Sequence, residues 1–184
     1  MTIKQIILAI AGSMAALATP TAAQDMSAFT TGPVFEDYGP NAPVEATMDI
    51  PEGAEFKVAF DVAAGAETGE LNRTLQSAAR FINMHARAGV PLENIQVAVV
   101  VHGKASEDLL SAEEYAKRRD GAENANIALI AALADKGMRV ILCGQSAAAY
   151  GISNGMLAPG VEMALSAMTA HALLQQTGYT VNPF

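Results

Sequence analysis

Apolar residues gather in short runs separated by longer stretches with helical spacing. "EFKVAFDVA" (55–63) alternates and carries β-branched and aromatic residues, which predicts a first core strand. "NIQVAVVVHG" (94–103) is continuously apolar, as expected of a strand buried on both faces of a parallel sheet. "MRVILCG" (138–144) reads as a third strand, and "YTVNPF" (179–184) closes the chain as a short one. Between the first two, Leu71, Leu75, Ala78, Ala79, Ile82 and His85 recur at helical spacing, with Thr68 as the expected N-cap and Gly89 as the stop. Residues 105–119 are charged and partly helical. Residues 122–137 predict a second helix ending at Gly137, "QSAAAYGI" (145–152) opens another, and residues 160–178 read as one further helix closed by Gly178. Residues 24–53, rich in Pro, Gly and small side chains, predict an extended arm that packs on the domain or on a neighbouring subunit.

Strands alternating with helices imply crossover connections, hence an α/β fold with a parallel sheet and helices on both faces. Ligands of such sheets bind beyond the carboxyl ends of the strands. Two chemically capable residues fall at those ends, His102 after "VAVVV" and Cys143 after "RVIL".

The first residues change the picture of where this fold works. Lys4 followed by "IILAIAGSMAALA" and "TPTAA" has the organisation of a secretory signal peptide, too short and interrupted for a comfortable membrane span. Cleavage is expected after Ala23, with Ala18 as the other candidate. The chain then divides into a signal peptide (1–23), the arm (24–53) and one α/β domain (54–184), with the periplasm as the expected compartment and no membrane contact after cleavage. Removal of residues 1–23 leaves 161 residues, enough for one domain with a sizeable core, and moves the formal charge from −8 to −9, because Lys4 is the only charge removed. An acidic chain without a basic cluster argues against nucleic-acid partners.

One cysteine cannot form an internal disulfide, so in an oxidising compartment Cys143 is hidden, joined to another molecule, or used. At a strand-to-helix turn the free N–H groups favour an anion, and the thiol pKa is expected to fall. Gly144 permits close backbone approach, and Gln145 and Ser146 add donors. The spacing alone fits a buried, unreactive cysteine equally well. His102, beside Gly103, offers an imidazole as a general base or as a donor to a bound sulfur species, while His85 and His171 read as structural helix positions. Separated histidines and one cysteine give no metal-ligand spacing, "CGQSA" is not a hydrolase elbow, and no cofactor fingerprint is present, so neither metal nor cofactor is expected. Asn72 and Asn124 are expected at exposed helix positions, with Asn126 a candidate for the site. The charged run "SAEEYAKRRD" reads as a solvated helix face, with Tyr115 reaching over the strand ends as the alternative. Met156, Met163 and Met168 fit a close-packed last helix, in the core or at a subunit interface.

"GVPLENIQVAVVVHG", "NANIALIAALADKGMRVILCGQSAAAYGI" and the terminal "GYTVNPF" together resemble the DsrE/DsrF-like family, over roughly Glu55 to Phe184. The resemblance implies a flavodoxin-like α/β fold, assembly as trimers or hexamers, and sulfur handling, with Cys143 matching the cysteine that carries sulfur as a persulfide. Combined with the export signal and the strand-end positions, this gives an expected exported sulfur carrier or sulfurtransferase, with Cys143 and His102 doing the chemistry and Gly103, Gly144, Gln145, Ser146 and Asn126 lining the site. Its partners would be small sulfur species or another sulfur-carrier protein. The rival is a non-catalytic oligomeric module that binds a small anion or thiol at the same strand ends.

Overall fold

The computed structural model describes residues 25–182; the expected signal peptide lies outside the described residues. Five parallel strands form one sheet in the order β4-β3-β2-β1-β5. They are β1 (Phe56–Val62), β2 (Ile95–Val101), β3 (Arg139–Cys143), β4 (Val161–Ala164) and β5 (Thr180–Asn182). The helices are α1 (Arg73–Arg87), α2 (Ala112–Arg118), α3 (Ile127–Asp135), α4 (Gly144–Ala149) and α5 (Ala167–Gln176), and a 3-10 segment runs over Gly103–Leu109.

Side-chain alternation along the strands sorts two cores. Val58, Phe60 and Val62 of β1, the odd-numbered apolar residues of β2, and Val140 and Leu142 of β3 pack with Leu75, Ile82, Leu129 and Ile130 of α1 and α3. The opposite face presents Ala59, Ala98, Val100 and Ile141 to Ala170 and Leu174 of α5. Helices therefore lie on both faces, as the alternation of elements implied, but among the described residues the second face has one helix and small side chains.

Three sequence expectations are corrected by the local chemistry. The helix expected over 160–178 is a strand and a shorter helix: β4 pairs with β3 from Val140↔Val161 to Cys143↔Ala164, and Ser166 then caps α5 by accepting from Thr169 N–H at 3.0 Å. Four residues, VEMA, carry too little alternation to show as a strand, and Met, Ala and Glu are all good helix formers. The first helix is capped by Asn72 rather than Thr68; the Asn72 side chain accepts from Thr74 N–H (2.9 Å) and Leu75 N–H (3.3 Å). The second helix starts at Ile127 because Asn124 and Asn126 are engaged in the preceding turn.

The asparagines expected at exposed positions are buried, and they organise the loops at the carboxyl edge. Asn72 donates to Asp108 Oδ2 (2.7 Å) and to Ala64 O (2.9 Å), and Asn124 donates to Asp108 O (3.0 Å) and Leu110 O (2.8 Å). Asp108 Oδ2 also accepts from Ala66 N–H. Tyr115 is buried, not draped over the strand ends, and its hydroxyl accepts from Gly69 N–H. The methionines do not share one helix: Met156 ends a 3-10 turn, Met163 is in β4, and Met168 is exposed on α5.

The arm packs on its own domain. Asn83, fully buried on α1, accepts from Val34 and Phe35 N–H and donates to the carbonyls of Phe35, Tyr38 and Gly39. Phe35 enters the larger core. Gly39 is required where the arm crosses α1, since a Cβ there would lie 2.3 Å from Arg80 N.

Candidate functional site

On the α5 side of β1, β2 and β3 the strands open with Lys57, Gln96 and Arg139, run through the apolar Ala59, Ala98, Val100 and Ile141, and become reactive at their carboxyl ends. Asp61 follows Ala59 with the same side-chain phase and is in register with Val100. His102 follows Val100 in the same way, and Cys143 follows Ile141. Val101 pairs with Leu142, so His102 and Cys143 are the next positions on adjoining strands. Two residues read from sequence as strand-end candidates are thus brought side by side, on the one face that α5 covers.

Cys143 is 5 % exposed and occupies the N-cap position of α4. The neutral thiol makes no capping hydrogen bond there. The thiolate is a different matter. Burial works to raise the thiol pKa, but N–H groups of Ser146, Ala167 and Gln145 and the Ser146 hydroxyl outweigh it and hold the pKa below the ordinary 9.0. Ser146 Oγ accepts from Gly103 N–H at 3.0 Å, which leaves its own proton free to face the sulfur. The donors come from two helix starts, α4 and α5. The second was invisible while residues 160–178 read as one helix.

Gly144 allows this convergence. A Cβ at Gly144 would lie 2.6 Å from Ala164 O, so only glycine lets the start of α4 press against the end of β4. Gln145 reaches the same segment by donating to Leu165 O at 3.3 Å. Gly103, with φ +56°, turns the chain directly after His102. Asn126 is placed differently: it is fully buried, accepts from Asn72 N–H at 2.7 Å, and donates to Asn124 Oδ1. It braces the loop frame rather than presenting a group at the surface of the site.

Two further residues belong to the cluster and were missed. Asp61 Oδ2 accepts from His102 Nε2 at 3.1 Å, and Asp61 Oδ1 accepts from His171 Nε2 on α5 at 2.8 Å. Burial tends to raise the Asp61 carboxyl, but hydrogen bonds and charge from the two histidines hold it below the ordinary 3.8. The signal for Asp61 was present: it is the one charged side chain on the buried phase of "VAFDVA". His171 carried none, since its partner lies 110 residues away. His85 stays structural, stacked on Phe56 and Phe81 with Nδ1 2.7 Å from Phe81 O.

With the sheet order and the strand-end cysteine established, comparison with known families is informative. Residues 57–183 match the DsrE/DsrF-like family. The chain belongs to that family. Among solved structures, the ychN protein of E. coli superposes with a TM-score of 0.51 at 18 % identity, over 70 % of this chain and 99 % of that one. Protein MTH1491 of Methanobacterium thermoautotrophicum gives 0.49 at 17 % identity, over 71 % of this chain and all of its own. At such identity the likeness to the ychN protein speaks to the fold alone. A search among curated proteins gave no match.

Proposed function

We propose that this DsrE-like protein is an exported sulfur carrier that works in the periplasm, with Cys143 taking up sulfane sulfur as a persulfide and passing it on. The observation that carries the reading is the environment of Cys143: a thiolate favoured by donors from two helix starts, next to an imidazole on the adjoining strand end. In loading, the Cys143 thiolate attacks the outer sulfur of a donor persulfide. The new bond is Sγ–S, the donor S–S bond breaks, and the donor leaves as a thiolate. Delivery is the reverse with an acceptor thiolate as nucleophile. The transferred sulfur keeps its oxidation level throughout, so the exchange requires no cofactor.

Burial of Cys143 shields the thiol between transfers and favours donors that present a small or protruding sulfur. The same burial is what a binding module with an inert cysteine would show, and reactivity separates the two readings. Incubation with a low-molecular-weight persulfide, followed by intact mass measurement, is expected to add one sulfur to the wild type and none to Cys143→Ser. A native protein that gains no sulfur, with Cys143 labelled by iodoacetamide only after unfolding, would leave the binding module. Self-association as a trimer or hexamer is part of the proposal, supported by the exposed Leu165, Met168 and Leu173 around α5. Light scattering tests it, and a monomer at micromolar concentration would remove it.

A further inference from the structure

A carboxylate in the place of Asp61 needs explanation. It sits one residue before the end of a core strand, in register with fully buried Val100, where its partly buried side chain gains from being paired. It has two partners, one imidazole on each oxygen. An ionised carboxylate only accepts, so both rings carry their proton on Nε2, and Nδ1 of each neutral ring is a lone pair. The two lone pairs differ in their surroundings. Among the described residues His171 Nδ1 is buried without a partner, so a proton placed there would meet no acceptor. His102 belongs to a side chain that is 31 % exposed, and it stands beside Cys143 at the strand ends.

We infer that Asp61 and His171 are positioning residues that hold the His102 ring so that its Nδ1 exchanges a proton with the thiol partner of Cys143. This rests on the proposed sulfur transfer. Cys143 itself needs no base, because the N–H groups around it already favour the thiolate. The sulfur that lacks a proton carrier is the other one. In delivery, the S–H proton of an acceptor thiol passes to His102 Nδ1, and the resulting thiolate attacks the outer sulfur of the Cys143 persulfide. The S–S bond to Cys143 breaks and Cys143 leaves as a thiolate. One S–S bond replaces another, so no oxidant or reductant enters. In loading, the same nitrogen returns a proton to the departing donor thiolate. The titratable groups around the ring are Asp61 from β1, which it hydrogen-bonds, His171 from α5, which shares that carboxylate, and Cys143 from β3, at the neighbouring register position. The acceptor class is therefore a thiol, and an acceptor without an S–H proton would bypass the device.

That bypass supplies the test. Wild type, Asp61→Asn, His171→Gln and His102→Gln are loaded with sulfur, and discharge is followed by intact mass across pH with 2-mercaptoethanol or sulfite as acceptor. Sulfite is compared at alkaline pH, where it is the dianion, attacks through its own sulfur lone pair and surrenders no proton. Discharge to the thiol is expected to fall by about tenfold or more in each variant, as loss of acid–base assistance does, with the acidic limb of its pH profile flattened. Discharge to sulfite should stay within about twofold of wild type if the chemistry at Cys143 is intact. Equal slowing with both acceptors, or slowing with neither, overturns the inference. A wild type that never loads overturns the proposed function and the inference together; one that loads while the variants discharge normally overturns the inference alone. His171→Gln is the second arm should Asp61→Asn fold poorly.

Discussion

The two faces of the sheet use the same strands for different ends. Toward α1 and α3 the strands present Val, Ile, Leu and Phe along their whole length, and the resulting core includes Leu75, Ile82, Leu129 and Ile130, none more than 1 % exposed. Toward α5 they present Ala59, Ala98, Val100 and Ile141, then Asp61, His102 and Cys143. Small side chains let α5 sit close, so His171 reaches Asp61 and the first N–H of α5 reaches the Cys143 sulfur. One face is built for burial, and the other gives up bulk for proximity. The comparison teaches that a parallel sheet can hold its stability and its chemistry on opposite sides, with alternation keeping them apart.

The sharpest way to break that comparison is to empty one position on each face. Leu129→Ala on α3 is expected to cost about 2–5 kcal/mol, as large-to-small core changes do, measured by urea unfolding. Iodoacetamide labelling of Cys143 in the folded fraction should keep its pH dependence. Leu174→Ala on α5 should destabilise too, but it should also move the labelling to higher pH, because α5 carries one of the donors to the thiolate. If both variants leave the labelling unchanged, the faces are not specialised.

Gly144→Ala tests proximity directly. Its Cβ would meet Ala164 O, so α4 must shift from β4, at about 1–3 kcal/mol by the usual cost of overpacking. Sulfur loading of Cys143 is expected to slow in the folded protein. Loading at the wild-type rate would show that the close approach serves packing only.

Two carboxylates offer a smaller effect with opposite signs. Asp61 titrates below the ordinary 3.8 in the fold, so its contribution is complete above that value and is lost as pH falls through its lower folded pKa. Asp108 is pushed up by burial, only partly offset by the hydrogen bonds from Asn72 and Ala66. Between 3.8 and its raised value the folded state binds more protons, so stability falls as pH rises across that window. Acid unfolding curves of Asp61→Asn should lose stability's rise with pH, and those of Asp108→Asn should lose the opposing fall. A same-sign change in both variants would contradict these assignments.

The smallest expected effect is at the open end of the α5 face. Arg139 and Glu162 form a two-pronged pair at 2.7–2.8 Å, but both side chains are about half exposed. Arg139→Ala is expected to cost at most about 1 kcal/mol, less in high salt, with sulfur loading unchanged. A cost of several kcal/mol would mean that this edge is covered in solution.

By itself the sequence determined what local pattern can carry. An alternating run set β1, apolar runs set β2 and β3, helical spacing set α1 and α3, and glycines marked their ends, so a parallel α/β sheet with His102 and Cys143 at its carboxyl edge was legible before any coordinates. Tertiary structure decided the rest. β4 exists because β3 offers it a ladder, against the helical leaning of VEMA. Asn72 and Asn124 are inside because Asp108 and nearby carbonyls satisfy them there, although their spacing placed them outside. His171 joins the site because α5 folds back across the sheet and brings it to Asp61. Hydrophobic periodicity is a property of neighbours along the chain. Burial of a polar group is settled by the partner that meets it, and that partner is distant in sequence.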